Sequence, residues 1–197
     1  MSKRELVIAE FARAGVQPGM YVRSSNFRAE ADHGPTNPVS YPWVLATEQP
    51  VEVFDWQTYE FWPEVLLIDG MEPVDSIPLL DNHRRTSVSD VLGSVRNMVV
   101  SQSGGYRSVD GDVFFSAASD VADAEKKVSE GHITDGSIGY IYGDVDAVYV
   151  EEDTEVTIKG KKYTGRVKVV TRWWRKEFSL TPIGADTLAK VKDILGA

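Results

Sequence analysis

Three short stretches carry side chains that could act on one another chemically. Thr134–Tyr142 (TDGSIGYIY) presents Ser137 close to Gly136 and Gly139. Ile77–His83 (IPLLDNH) ends in His83, and Trp173–Pro182 (WWRKEFSLTP) contains Glu177. A serine hydroxyl is a poor nucleophile until a neighbouring imidazole takes its proton. The imidazole works best when an acceptor fixes its tautomer and stabilises the imidazolium. Ser137, His83 and Glu177 would fill these roles in a serine hydrolase. Each also has a plain structural reading: a small polar strand residue, a strand-end histidine and a solvent-facing or ion-paired glutamate. Sequence spacing does not separate the two readings. Triads are defined by geometry, and the order His, Ser, acid departs from the usual ones.

Other chemistries are poorly supplied. The chain has no cysteine, which excludes disulfides, thiolate zinc sites and cysteine nucleophiles. Its three histidines, His33, His83 and His132, form no metal-binding pattern, so neither a metal nor a cofactor is expected. The net charge of −9 argues against a nucleic-acid partner. No apolar run approaches the about 20 residues of a membrane helix, so no membrane association is expected. The N-terminus lacks the apolar core and small-residue cleavage site of a secretory signal. An α/β-hydrolase esterase is excluded by the absence of a GxSxG elbow and of βαβ alternation.

The elements that must position these side chains are mainly strands. At 197 residues with 42% hydrophobic content, the chain supports one domain plus a short arm. Residues 1–42 read as an N-terminal helix (Lys3–Ala14) followed by a flexible Pro/Gly arm, and residues 43–197 as the main domain. Short runs bounded by Pro, Gly or Asp read as strands at Val44–Thr47, Val51–Phe54, Glu64–Ile68 and Ile77–Leu80. Asp90–Val100 is a further strand, Ser101–Asp112 a turn or mobile loop and Asp112–Ala117 a strand. The crowded aromatics Phe54, Trp56, Tyr59, Phe61 and Trp62 suit core or a dimer surface, with a substrate pocket as the alternative. Asp120–Glu130 is a helix, with Ser119 or Asp120 as N-cap, Gly131 just past its end, and Val121, Ala124 and Val128 buried. Val145–Glu151, Glu155–Lys159 and Tyr163–Arg172 are strands, with KGKK as a hairpin turn. Trp173–Thr181 is the last strand, followed by an amphipathic helix over Ala185–Leu195. Many strands, few helices and no βαβ units give a mostly β, α+β class, with a closed barrel and helices packed around it. Within the strands, Ser137 shares a face with Gly139, and Glu177 with Ser179. Small residues around Ser137 would admit a substrate backbone.

Three blocks, taken in order, resemble the phage prohead (capsid-maturation) proteases, which are similar to the herpesvirus assemblin-type serine proteases. They are IPLLDNHRR with a following LGSV, EGHITDGSIGY preceded by a helix, and WWRKEFSLTPIGAD. The upstream ATEQPVEVFD and WPEVLLIDG resemble the family's earlier strands, so the likeness spans Val44–Asp186. It implies a closed barrel of about seven strands surrounded by helices. It implies Ser137 as nucleophile, His83 as general base and Glu177 as third member, with His132 not catalytic. The paired arginines that the herpesvirus enzymes carry after the third member are replaced here by Pro182-Ile183-Gly184-Ala185. Backbone N–H groups near Gly184 and Ala185 are the expected oxyanion donors. The implied function is a serine endopeptidase that cleaves scaffold, or the scaffold-like arm of the major capsid protein, during head maturation, with self-cleavage. The expected partners are those substrates and a second copy in a homodimer. The expected location is the host cytoplasm, inside the assembling prohead. The alternative is a non-catalytic capsid-assembly or scaffold-binding domain of the same fold.

Overall fold

A computed structural model describes residues 39–192. The expected N-terminal helix and most of the arm lie outside them, as do His33 and residues 193–197. The elements are β1 (Ser40–Thr47), β2 (Val51–Asp55), β3 (Glu60–Leu66), β4 (Ile77–Asp81), β5 (Val91–Ser103), β6 (Tyr106–Phe115), α1 (Ala122–Ser129), β7 (Gly136–Ile141), β8 (Ala147–Val150), β9 (Glu155–Ile158), β10 (Lys161–Thr164), β11 (Val167–Val170) and β12 (Trp174–Leu180). A six-stranded sheet has the order β1-β6-β5-β4-β12-β7, and a four-stranded sheet the order β2-β3-β11-β8. β9 and β10 form a separate hairpin.

The closed barrel surrounded by helices is not what the chain forms. The larger sheet curls into an open half-barrel, and α1 is the single α-helix among the described residues. Register shifts in the β1–β6, β4–β5 and β5–β6 ladders bend it. Its edges, β1 and β7, do not pair with each other. A short extended segment lies between them instead. The Val44 N–H donates to the Lys190 carbonyl (2.8 Å) and the Gly136 N–H to the Ala189 carbonyl (3.1 Å). Val191 and Lys192 donate back to Thr134 (3.1 Å) and Pro42 (2.8 Å). This segment falls in the expected C-terminal helix, which is absent over Ala185–Lys192. Asp186 explains part of the change: its carboxylate accepts from the Thr47 N–H (2.9 Å), the Thr47 hydroxyl (2.8 Å) and the Leu188 N–H (2.9 Å). Lys190 and Lys192 then pair with Asp135, just before β7, and Asp110 of β6.

Ser101–Asp112 is also strand rather than loop. β5 and β6 run on to a tight turn at Gly104–Gly105, with φ of 58° and 86°, values glycine adopts without strain. Polar letters concealed this strand because Ser108 and Asp110 are buried against each other at 3.0 Å. Val121 at the start of α1 and Val128 within it are buried against the core as expected, Ala124 is only half-buried there, and Gly131 follows the end with φ 76°. Its N-cap is Val121, with no capping side chain, rather than Ser119 or Asp120. The larger core centres on Trp43, Leu79, Val95, Val113, Trp173 and Phe178. Trp43 meets the edge of Phe178 at 5.7 Å. In the aromatic group on and between β2 and β3, Phe54 lies 5.0 Å from Trp56 and 5.3 Å from Phe61, and Trp62 lies 5.1 Å from Tyr149 of β8.

A buried ion cluster ties the strand carrying Ser137 to the smaller sheet. Lys168, 1% exposed, pairs with Asp55 at 2.8 Å and with Glu64. Tyr140 of β7 donates to Glu64, and Tyr149 to Asp55 at 2.8 Å. Burial alone would raise the Asp55 pKa, but hydrogen bonds from Lys168, the Thr58 N–H and Tyr149 outweigh it and hold it at about 2. A carboxylate with a depressed folded pKa stabilises the fold above its unfolded value near 3.8. Unfolding free energy should therefore fall as pH drops through the window from 3.8 to about 2, as read by urea titrations. Lys168→Met, which leaves both carboxylates buried without a cation, should cost about 3–5 kcal/mol at pH 7. That deficit should shrink in acid, as the unpaired carboxylates take up protons.

Candidate active site

The parallel pairing of β4 with β12 sets Leu80 beside Ser179 and Asp81 beside Leu180. Beyond Asp81 the chain turns through Asn82 and His83, whose φ values of 46° and 60° are both left-handed. Non-glycine residues reach this region only when their surroundings hold them there. Two bonds to β12 do so: the Asn82 N–H donates to the Leu180 carbonyl (3.0 Å), and the His83 N–H to the Ser179 hydroxyl (2.9 Å). The turn delivers the imidazole to Glu177, with Nδ1 2.6 Å from Oε1. The carboxylate is an acceptor only, so it holds the proton on Nδ1 and leaves the lone pair on Nε2.

Glu177 reaches this position because β12 is irregular. Strict alternation would put Arg175 and Glu177 on one face. A register shift against β7 falls between them, Arg175 opposing Tyr140 and Glu177 opposing Gly139. Arg175 consequently turns inward, its guanidinium donating to the Glu72 carbonyl at 3.1 Å, while Glu177 turns to the face that carries His83. Bulges commonly re-aim a side chain beside a functional site. Glu177 is 2% exposed, so its charge must be satisfied internally. Oε2 accepts from the Ser179 hydroxyl at 2.8 Å, and the Arg85 guanidinium lies 3.9 Å from Oε1.

Ser137 occupies the next strand on the same face. It is the register partner of Ser179, two positions from Gly139. Adjacent strands lie about 5 Å apart, and residues i and i+2 about 7 Å. Ser137 is half-buried, and its hydroxyl makes no hydrogen bond among the described residues, to His83 or to any other group. The structure thus joins His83 to Glu177 directly and sets Ser137 beside them, unbonded.

The glycines near Ser137 do not hold space for a substrate, as the sequence suggested. A Cβ on Gly139 would stand 1.9 Å from Glu177 Oε1, and one on Gly136 2.1 Å from the Phe178 ring. The first glycine admits the carboxylate and the second the core. Gly184 passes close to the Gly136 carbonyl, but its N–H points to the Asp135 carboxylate at 3.4 Å and is already engaged. Burial would raise the Asp135 pKa; hydrogen bonds from Lys190 and Gly184 reverse this and hold it below its usual value. Ala185 is exposed beside it. His132 is exposed beside Glu130 at 3.6 Å.

Sequence reasoning missed two neighbours of the His83–Glu177 pair. Ser179 is fully buried and links the His83 backbone to the Glu177 carboxylate. Its signal was present in the shared face of Glu177 and Ser179. Arg85 belongs to the Arg84-Arg85 pair directly after His83 in IPLLDNHRR.

Comparison with family models, with curated proteins and with solved structures finds no match to this chain.

Two substitutions test the geometry. Gly139→Ala should displace the Glu177 carboxylate, breaking its bond to His83, and the loss of the downfield Nδ1 proton resonance of His83 would report it. Ser179→Ala removes the partner of the half-buried His83 N–H and of one buried Glu177 oxygen, and should lower the unfolding free energy by about 1–3 kcal/mol in denaturant titrations.

Proposed function

We propose that this chain is a serine endopeptidase with Ser137 as nucleophile, His83 as general base and Glu177 as the residue that orients His83. The observation that carries the reading is the 2.6 Å contact between His83 Nδ1 and a buried Glu177, on the sheet face that bears an unbonded Ser137 hydroxyl. In the acylation step, His83 Nε2 takes the Ser137 proton as Oγ attacks the scissile carbonyl. The imidazolium is stabilised by Glu177 and returns the proton to the leaving amine. Water then attacks the acyl-enzyme with the same proton transfers, releasing the acid and restoring Ser137. His83 is partly open to solvent, so substrate and water can reach it. Its distance from Ser137 is the part that must close on substrate binding, as catalytic hydrogen bonds often do.

The likeness of the IPLLDNHRR, DGSIGY and KEFSLTP blocks to prohead proteases favours scaffold, or the scaffold-like arm of a major capsid protein, as substrate, together with self-cleavage. The absence of a Ser137–His83 hydrogen bond favours the second reading, a capsid-assembly or scaffold-binding domain without catalysis.

A fluorophosphonate probe separates the two. The wild-type chain should be labelled on Ser137 and Ser137→Ala should not. Glu177→Gln should label more slowly without losing labelling altogether, because His83 remains. Co-expression with the capsid and scaffold proteins should give processing that Ser137→Ala abolishes; processing by that variant at the wild-type rate would refute the endopeptidase.

A further inference from the structure

A cleft of about 460 Å³ opens on the outer face of the larger sheet, directly beside Glu177. Pro78, Leu80 and Val91 give it apolar walls, and Arg84, Arg85 and Lys176 are its cations. These three positive charges meet in a chain whose net charge is −9. The one acid lining the cleft, Glu177, is already committed to His83 and Ser179. Nearby, Asp90 is engaged by the Thr86 and Ser87 N–H groups at 2.8 Å. Arg84 pairs with Asp81 at 3.2 Å. Arg85 makes no hydrogen bond among the described residues; its sole acidic neighbour is Glu177 at 3.9 Å. Lys176 has no ion pair among them. It faces the cleft because the irregularity that turns Glu177 outward falls at the same point of β12.

We infer that this cleft is a substrate subsite that takes an acidic side chain of the peptide, glutamate in particular. The inference rests on the endopeptidase reading and names the substrate class for that site. The apolar walls suit the methylene stem. The Arg85 guanidinium presents a planar fork that matches a carboxylate in two parallel hydrogen bonds, and Lys176 adds a compact charge. A glutamine or lysine side chain of similar length would fill the same space but lack the charge or reverse it. The cleft lies on the side of β12 away from β7, so the acid would bind a few residues from the bond that Ser137 attacks.

The test is a binding measurement on the uncleavable Ser137→Ala chain, which does not depend on turnover. Two fluorescein-labelled decapeptides of alanine and valine, differing only in a central Glu or Gln, are titrated by fluorescence anisotropy. The Glu peptide should bind at least fivefold more tightly at low salt, and added salt should erode the difference. Arg85→Glu with Lys176→Glu should abolish the preference. Lys176 has no ion pair among the described residues, so Lys176→Glu alone should leave the melting temperature of the Ser137→Ala chain little changed while weakening the preference; Arg85→Glu also sets a carboxylate beside Glu177, so the pair is compared with that single variant. Equal affinity for the two peptides up to millimolar concentration, or a preference that survives the charge reversal, would overturn the subsite. Fluorophosphonate labelling of the wild-type chain reports on Ser137 independently, so failure of the subsite and failure of the endopeptidase remain distinguishable.

Discussion

The candidate site is built around one buried carboxylate. Glu177 has almost no solvent, and an ionised carboxylate in that position is tolerated only when its oxygens are paired. One oxygen meets His83 and the other Ser179. Both partners are tied in turn to other groups. Ser179 is fully buried and also holds the backbone of the His83 turn, and that turn is left-handed at both residues. The carboxylate needs the missing Cβ of Gly139 to lie where it does. Four residues from two strands and one turn are thus mutually required, and a change in any of them disturbs the pairing of a buried polar group.

The same constraint shapes the sheet around it. A regular β12 would have sent Glu177 to the side occupied by Arg175. The irregularity between them serves both charges, since Arg175 finds a backbone carbonyl inside while Glu177 meets His83 outside. It also leaves Lys176 at the cleft. On the other side of β7, the sheet stops short of closure. The segment between its edges is held by Lys190, Lys192 and Asp186, each meeting a polar partner on β1, β6 or the stretch leading into β7. The Lys168 cluster anchors β7 a second time, through Tyr140. The strand bearing Ser137 is therefore fixed from the smaller sheet and from the seam together.

Much was legible from the chain alone. Short runs bounded by Pro, Gly or Asp placed most strands, with Ser137 and Glu177 upon them, whereas His83 falls in the turn beyond β4. The helix pattern of Val121, Ala124 and Val128 located α1, and Gly131 marked its end. These are local signals, carried by residues close in sequence. Where polar side chains found distant partners, the local signal misled. Ser108 and Asp110 looked like loop, yet are buried as a pair. Ala185–Lys192 had helical periodicity, but the open hydrogen-bonding groups of two sheet edges offered its backbone more than a helix on the surface would.

What the sequence determined by itself was the inventory: one serine, one histidine and one glutamate on strand-like segments, with no cysteine or metal pattern to compete. Only the tertiary structure decided that His83 and Glu177 meet, that Ser179 binds them both, and that Ser137 shares their face without bonding to them. It also decided that Gly139 accommodates a carboxylate rather than a substrate. The physical reason is that facing in a strand depends on register. One irregularity in β12 reverses the alternation, and a left-handed turn after β4 re-aims a side chain. Neither follows from residue types, because each is held in place by partners that lie far along the chain.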